Sequence, residues 1–142
     1  MVASHRHPEL LQTVLDTPRP RELAEFYRRL LGYEYRPGDE DGSGEGSNDW
    51  LVLTDSSGIR KLAFQLSPET PAVRWPDGPP HQMMHLDLRV ASYGDLLEQC
   101  KRSIELGAKV VRDASSDPVE PNIVMADVSG HLYCLIAPGN PS

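Results

Sequence analysis

The 142-residue sequence predicts an α+β fold: two βαβββ repeats forming a curved mixed sheet around a shared cleft, with the helices outside. Two observations carry this. Residues 10–66 and 83–137 each run strand, helix, glycine, strand, loop, strands. The two helices also end alike, at Leu30-Leu31-Gly32-Tyr33-Glu34-Tyr35 and at Glu105-Leu106-Gly107-Ala108-Lys109-Val110. Such a repeat marks one supersecondary unit used twice, which cannot bury its apolar face alone. The length fits one domain. Residues 1–9 read as a flexible N-terminus, 10–66 as repeat one, 67–82 as linker, 83–137 as repeat two and 138–142 as a tail.

The elements follow in order. Leu10-Leu11-Gln12-Thr13-Val14-Leu15 is an apolar run and predicts the first strand. Pro18 and Pro20 stop it, with Pro20 placed for the first helical position. Leu23, Phe26, Tyr27, Leu30 and Leu31 then form one helical stripe, which Gly32 ends. The stretch from Pro37 to Asp49 is Gly, Ser, Asp and Glu, so residues 38–49 predict a mobile loop, either a lid or a tether. Trp50 to Thr54 and Lys61 to Leu66 predict a hairpin turning at Asp55-Ser56-Ser57-Gly58.

In the second repeat, Met84-His85-Leu86-Asp87-Leu88-Arg89-Val90 alternates. His85, Asp87 and Arg89 fall on one face and Leu86, Leu88 and Val90 on the other. Ser92 and Asp95 suggest a capping box. Tyr93, Leu96, Leu97, Cys100 and Ile104 predict the inner stripe of the second helix, which Gly107 closes. Ile123 to Asp127 and Leu132 to Ile136 predict the last strands, and His131 a solvated residue at their turn.

Bulk chemistry excludes several classes. A net charge of −7 argues against nucleic acid and against an anionic membrane surface. No apolar run reaches the roughly 18 residues of a membrane span. The opening His5-Arg6-His7 has no apolar stretch behind it, as a signal peptide would. Two cysteines make no disulfide framework, and a cytoplasmic protein is expected. There is neither a Gly-x-Ser-x-Gly nucleophile elbow nor a glycine-rich phosphate loop.

Several motifs together resemble one family. They are Val14-Leu15-Asp16-Thr17-Pro18 leading into Ala24-Glu25-Phe26-Tyr27-Arg28-Arg29-Leu30-Leu31-Gly32, then Lys61-Leu62-Ala63-Phe64-Gln65, Trp75-Pro76-Asp77, Met84-His85-Leu86-Asp87-Leu88, and Asp127-Val128-Ser129-Gly130-His131-Leu132-Tyr133-Cys134-Leu135. The combination resembles the vicinal oxygen chelate superfamily of glyoxalase I, bleomycin-resistance proteins and extradiol dioxygenases, and within it the small glyoxalase-like proteins. The resemblance implies four cleft-facing ligand positions, which fall on Gln12, Gln65, His85 and Cys134. Metal-dependent members usually carry glutamate at the last of these. The set here brings at most one anion, and hard divalent ions prefer carboxylate oxygens. No cofactor is therefore expected, with zinc, nickel, iron or manganese as the alternative.

These readings predict a glyoxalase-like protein that binds a small hydrophobic or aromatic metabolite in the inter-repeat cleft. Chemistry there would be metal-independent proton transfer or rearrangement, with His85 as acid or base and Gln12 and Gln65 donating hydrogen bonds to a substrate oxygen. Trp50, Trp75 and Asp87 complete the ligand-binding set; Asp87 is placed to orient His85, and Trp75 to lean over the cleft mouth. Met83 and Met84 read as pocket lining or core packing. The alternatives are a drug- or metabolite-sequestering protein of bleomycin-resistance type and a divalent-metal-dependent lyase or dioxygenase. Glyoxalase I activity is expected to be absent. The resemblance also implies a homodimer.

Overall fold

The computed structural model describes residues 7–42 and 47–139. The elements are β1 (Thr13–Thr17), α1 (Pro20–Leu31), β2 (Glu34–Tyr35), β3 (Trp50–Thr54), β4 (Arg60–Leu66), β5 (Leu86–Arg89), α2 (Tyr93–Glu105), β6 (Lys109–Ala114), β7 (Asn122–Ala126) and β8 (Leu132–Ile136). They make two four-stranded sheets, ordered β1-β4-β3-β2 and β5-β8-β7-β6. β1 runs parallel to β4 and β5 parallel to β8, and the remaining pairs are antiparallel. The repeat in sequence is thus a repeat in topology, and the α+β class with two βαβββ units is as expected.

The helix boundaries follow from local chemistry. Pro20 opens α1, and Gly32 closes it at φ 70°, a left-handed conformation that a side chain resists. Ser92 caps α2 by accepting a hydrogen bond from the Asp95 amide at 3.1 Å. In the β3–β4 hairpin, Asp55 Oδ1 accepts from the amides of Ser57 and Ile59.

Two elements differ from the sequence expectation. The first strand starts three residues late, leaving Leu10 and Leu11 exposed ahead of it, because β4 pairs only from Thr13 onward. On α2, Leu96 and Ser103 are buried and Cys100 is half-buried, whereas Tyr93, Leu97 and Ile104 are exposed. The inward stripe is rotated by about one residue from the one the apolar spacing suggested, since the adjoining core admits only a narrow strip of this helix. The loop before β3 makes hydrogen bonds where it is described. Asp39 accepts from the Val52 amide and pairs with Arg36, and Arg21 binds Asn48 Oδ1 and the Asp39 carbonyl. Residues 43–46 of the predicted mobile segment lie outside the described residues.

One hydrophobic core serves both repeats. Leu51, Leu53, Leu62 and Phe64 from the first sheet join Ile123, Met125, Tyr133 and Leu135 from the second, with Phe26 and Tyr27 of α1 between. Tyr27 lies 6.0 Å from both the Phe64 and the Tyr133 ring. Its hydroxyl donates to Asp127 Oδ2 at 2.6 Å, and Asp127 also accepts from the amides of Ser129 and His131. Burial pushes both the Asp127 carboxyl and the Tyr27 hydroxyl above their ordinary values. His131, expected in solvent, instead bridges the repeats: its Nε2 is 2.6 Å from the Asp16 carbonyl. Arg102 of α2 donates to the Arg29 and Leu30 carbonyls that end α1.

Candidate functional site

Strand alternation decides which residues face the core and which face away. On the first sheet the residues between the core-facing ones are Asp16, Gln65 and Trp50, aligned in register across β1, β4 and β3. On the second sheet the matching row is Asp87, Cys134 and Val124 across β5, β8 and β7. Both rows turn away from the core that the two sheets share.

The second row is roofed by the linker. Val73 and Trp75 pack on Val124, Leu132 and Cys134, and the Arg112 guanidinium lies 4.9 Å from the Trp75 ring centroid. Gly130, at φ 89°, lets the linker approach the β7–β8 turn, because an added Cβ would sit 2.3 Å from Ala72 Cβ. Beside this roof is a cavity of about 270 Å³ whose lining includes Trp75, Gln82, His85, Asp87, Asn122 and Cys134.

Within the cavity the polar groups differ in readiness. His85 Nε2 lies 3.2 Å from Asp87 Oδ1, with the two side chains 46% and 59% exposed. At that exposure the pair adds little stability; it places a carboxylate within hydrogen-bonding reach of one His85 ring nitrogen. The Cys134 thiol donates to Asn122 Oδ1 at 3.7 Å, and burial, reinforced by Asp87, pushes its pKa up to about 11. Cys134 is therefore a neutral thiol at pH 7, and both it and Cys100 are free.

The predicted residues thus divide. His85, Asp87, Trp75 and Cys134 line one cavity. Gln65 is exposed on the first sheet beside half-buried Trp50. Gln12 stands just before β1, its Oε1 accepting from Arg60 Nε at 2.8 Å. Met83 and Met84 neither line this cavity nor pack in the core, being 94% and 77% exposed.

Sequence reasoning missed Arg112, Asn122 and Gln82. A β-bulge between Val110 and Arg112 shifts the register of β6, so no simple alternation points Arg112 inward. Gln82 precedes β5 in irregular chain; its Oε1 is buried with no hydrogen-bond partner among the described residues.

The donor set does not suit a divalent metal. The imidazole of His85 and the thiol of Cys134 are two strong donors and the amides of Gln12 and Gln65 weak ones, whereas zinc sites usually gather three or four strong ligands. Among the described residues no group of three or more His, Cys, Asp or Glu is arranged to hold a metal ion. No helix of the described residues is long and apolar enough to cross a membrane.

The comparisons agree with this architecture. A glyoxalase/bleomycin resistance protein/dioxygenase family enzyme from Burkholderia phytofirmans superposes with a TM-score of 0.68 at 13% identity, covering 92% of this chain and 98% of its own. The lactoylglutathione lyase from Agrobacterium tumefaciens gives a TM-score of 0.60 at 12% identity, with 94% and 96% covered. A mutant of the fosfomycin resistance protein FosX from Listeria monocytogenes, complexed with Mn(II) and 1S,2S-dihydroxypropylphosphonic acid, gives 0.63 at 13% identity, with 92% and 90% covered. At these identities the likeness is one of fold. No curated protein matches by sequence. The profile of the glyoxalase-like domain family matches residues 12–136, nearly the whole of the two repeats, and the chain belongs to that family within the vicinal oxygen chelate superfamily.

Proposed function

We propose that this protein binds a small hydrophobic or aromatic metabolite in the cavity beneath Trp75, with His85, oriented by Asp87, as the acid or base of a metal-independent proton transfer. The observation that carries this reading is the convergence of His85, Asp87, Cys134 and Trp75 on one cavity. The indole and the β-strand side chains supply an apolar wall. Gln82 Oε1 is a buried acceptor with no hydrogen-bond partner among the described residues, which a ligand donor would satisfy.

The same reading makes the working unit a homodimer. β1 and β5 are sheet edges, each paired on one side only. Leu10 and Leu11 lead into one edge and Met83 and Met84 into the other, all exposed. Unpaired edges flanked by apolar side chains favour pairing with another chain. A second copy that joins its β1 to this β5 would bring Gln12, Gln65 and Trp50 of one copy toward His85 and Cys134 of the other. The inter-repeat cleft then forms between copies.

Thermal-shift screening with aromatic metabolites, followed by recovery of the bound compound, tests the reading. Trp75→Ala should abolish the thermal shift. His85→Ala should retain binding and leave the ligand unconverted. A ligand that wild-type protein returns unchanged after long incubation would favour sequestration over catalysis. A shift that survives Trp75→Ala would move the site elsewhere.

A further inference from the structure

Trp75 and Leu132 wall two cavities, and the second gathers three basic side chains. A groove of about 770 Å³ runs from the start of α1 along the linker to β6, and its basic side chains are Arg19, Arg74 and Lys109. Its carboxylates are Asp77 and Asp127. Asp127 is buried, with its oxygens accepting from Tyr27 and from the amides of Ser129 and His131, so Asp77 is the carboxylate the groove exposes. Arg19 pairs with Glu22 at 2.8 Å across an exposed surface, where such a pair is weak. Among the described residues, Arg74 and Lys109 form no salt bridge.

The charge is local. The whole chain carries −7, so a groove in which Arg74 and Lys109 face one exposed carboxylate, Asp77, runs against the surface average. Its apolar floor includes Val111, Ala126 and Leu132. Basic side chains bordering an apolar floor match a ligand with one anionic head and an apolar body. We propose that this groove is a second binding site, separate from the His85 cavity, for a small amphipathic anion with a carboxylate or phosphate head.

The test is binding of 2-naphthoate, followed by amide chemical shifts of the full chain, with 2-naphthyl phosphate and neutral 2-naphthamide as comparison probes. Naphthoate or the phosphate should shift the amides of Val111, Ala126 and Gly130, and the better of the two identifies the head group. Arg74→Gln combined with Lys109→Gln should weaken the anion about tenfold. Both sites are exposed, so an unchanged amide spectrum elsewhere will verify the fold. Equal binding of 2-naphthamide, unchanged affinity in the double variant, or no binding of either anion would overturn the proposal. Shifts centred on His85 and Asp87 would also overturn it while supporting the cavity of the proposed function. A ligand confined to the groove leaves that other reading to its own test.

Discussion

Tyr27 is the residue on which the joining of the repeats depends most. It belongs to the first repeat, is fully buried, and donates its hydroxyl to Asp127 of the second. Tyr27→Phe keeps the ring contacts and leaves a buried carboxylate short of one donor, at a cost of about 1–3 kcal/mol. Urea denaturation should show this loss, and Tyr27→Phe with Asp127→Asn should lose less than Tyr27→Phe alone. Cys134 gives a second expectation at this scale. In a Cys100→Ser background, its reaction with a disulfide reagent should climb about tenfold per pH unit toward its pKa of about 11, without a plateau near the ordinary 9.0. A plateau near 9 would return Cys134 to the list of available thiolates.

Among the elements, α1 holds the clearest pH response. Glu25 accepts from Arg28 and Tyr35, and the Arg28 guanidinium, the largest influence, holds its carboxyl at about 2 instead of 4.5. A depressed carboxylate adds stability above its unfolded value and loses it as the pH falls through its folded value. Wild-type protein should therefore exceed Glu25→Gln in stability at pH 7, and the difference should shrink between pH 4.5 and 2 in acid denaturation curves. The elements were also where sequence was most legible. The stripe Leu23, Phe26, Tyr27 and Leu30 and the stops at Gly32 and Gly107 read directly, because helix period and positive φ are local properties. The α2 stripe misread because Tyr93, Leu97 and Ile104 are apolar yet exposed, and their exposure is set by what packs against the helix.

At the scale of the molecule, strand alternation placed His85 and Asp87 on one face because it is a local property, and the family resemblance added Cys134, which pairs with Asp87 across β5 and β8. The sequence did not reveal Arg112, displaced by a bulge, or Gln82, whose Oε1 has no hydrogen-bond partner among the described residues. Nor did it reveal that the two sheets share one core, with Gln12 and Gln65 outside the cavity that His85 lines. That depends on long-range packing of Tyr27, Phe64 and Tyr133, which no spacing encodes.

Whether two copies complete one cleft can be read by cysteine cross-linking. In a Cys100→Ser, Cys134→Ser background, Gln65→Cys protein is mixed with His85→Cys protein and treated with a short bismaleimide. The account predicts a covalent dimer from the mixture and little from either variant alone. It is contradicted if the mixture yields no dimer while a single chain carrying both substitutions cross-links internally.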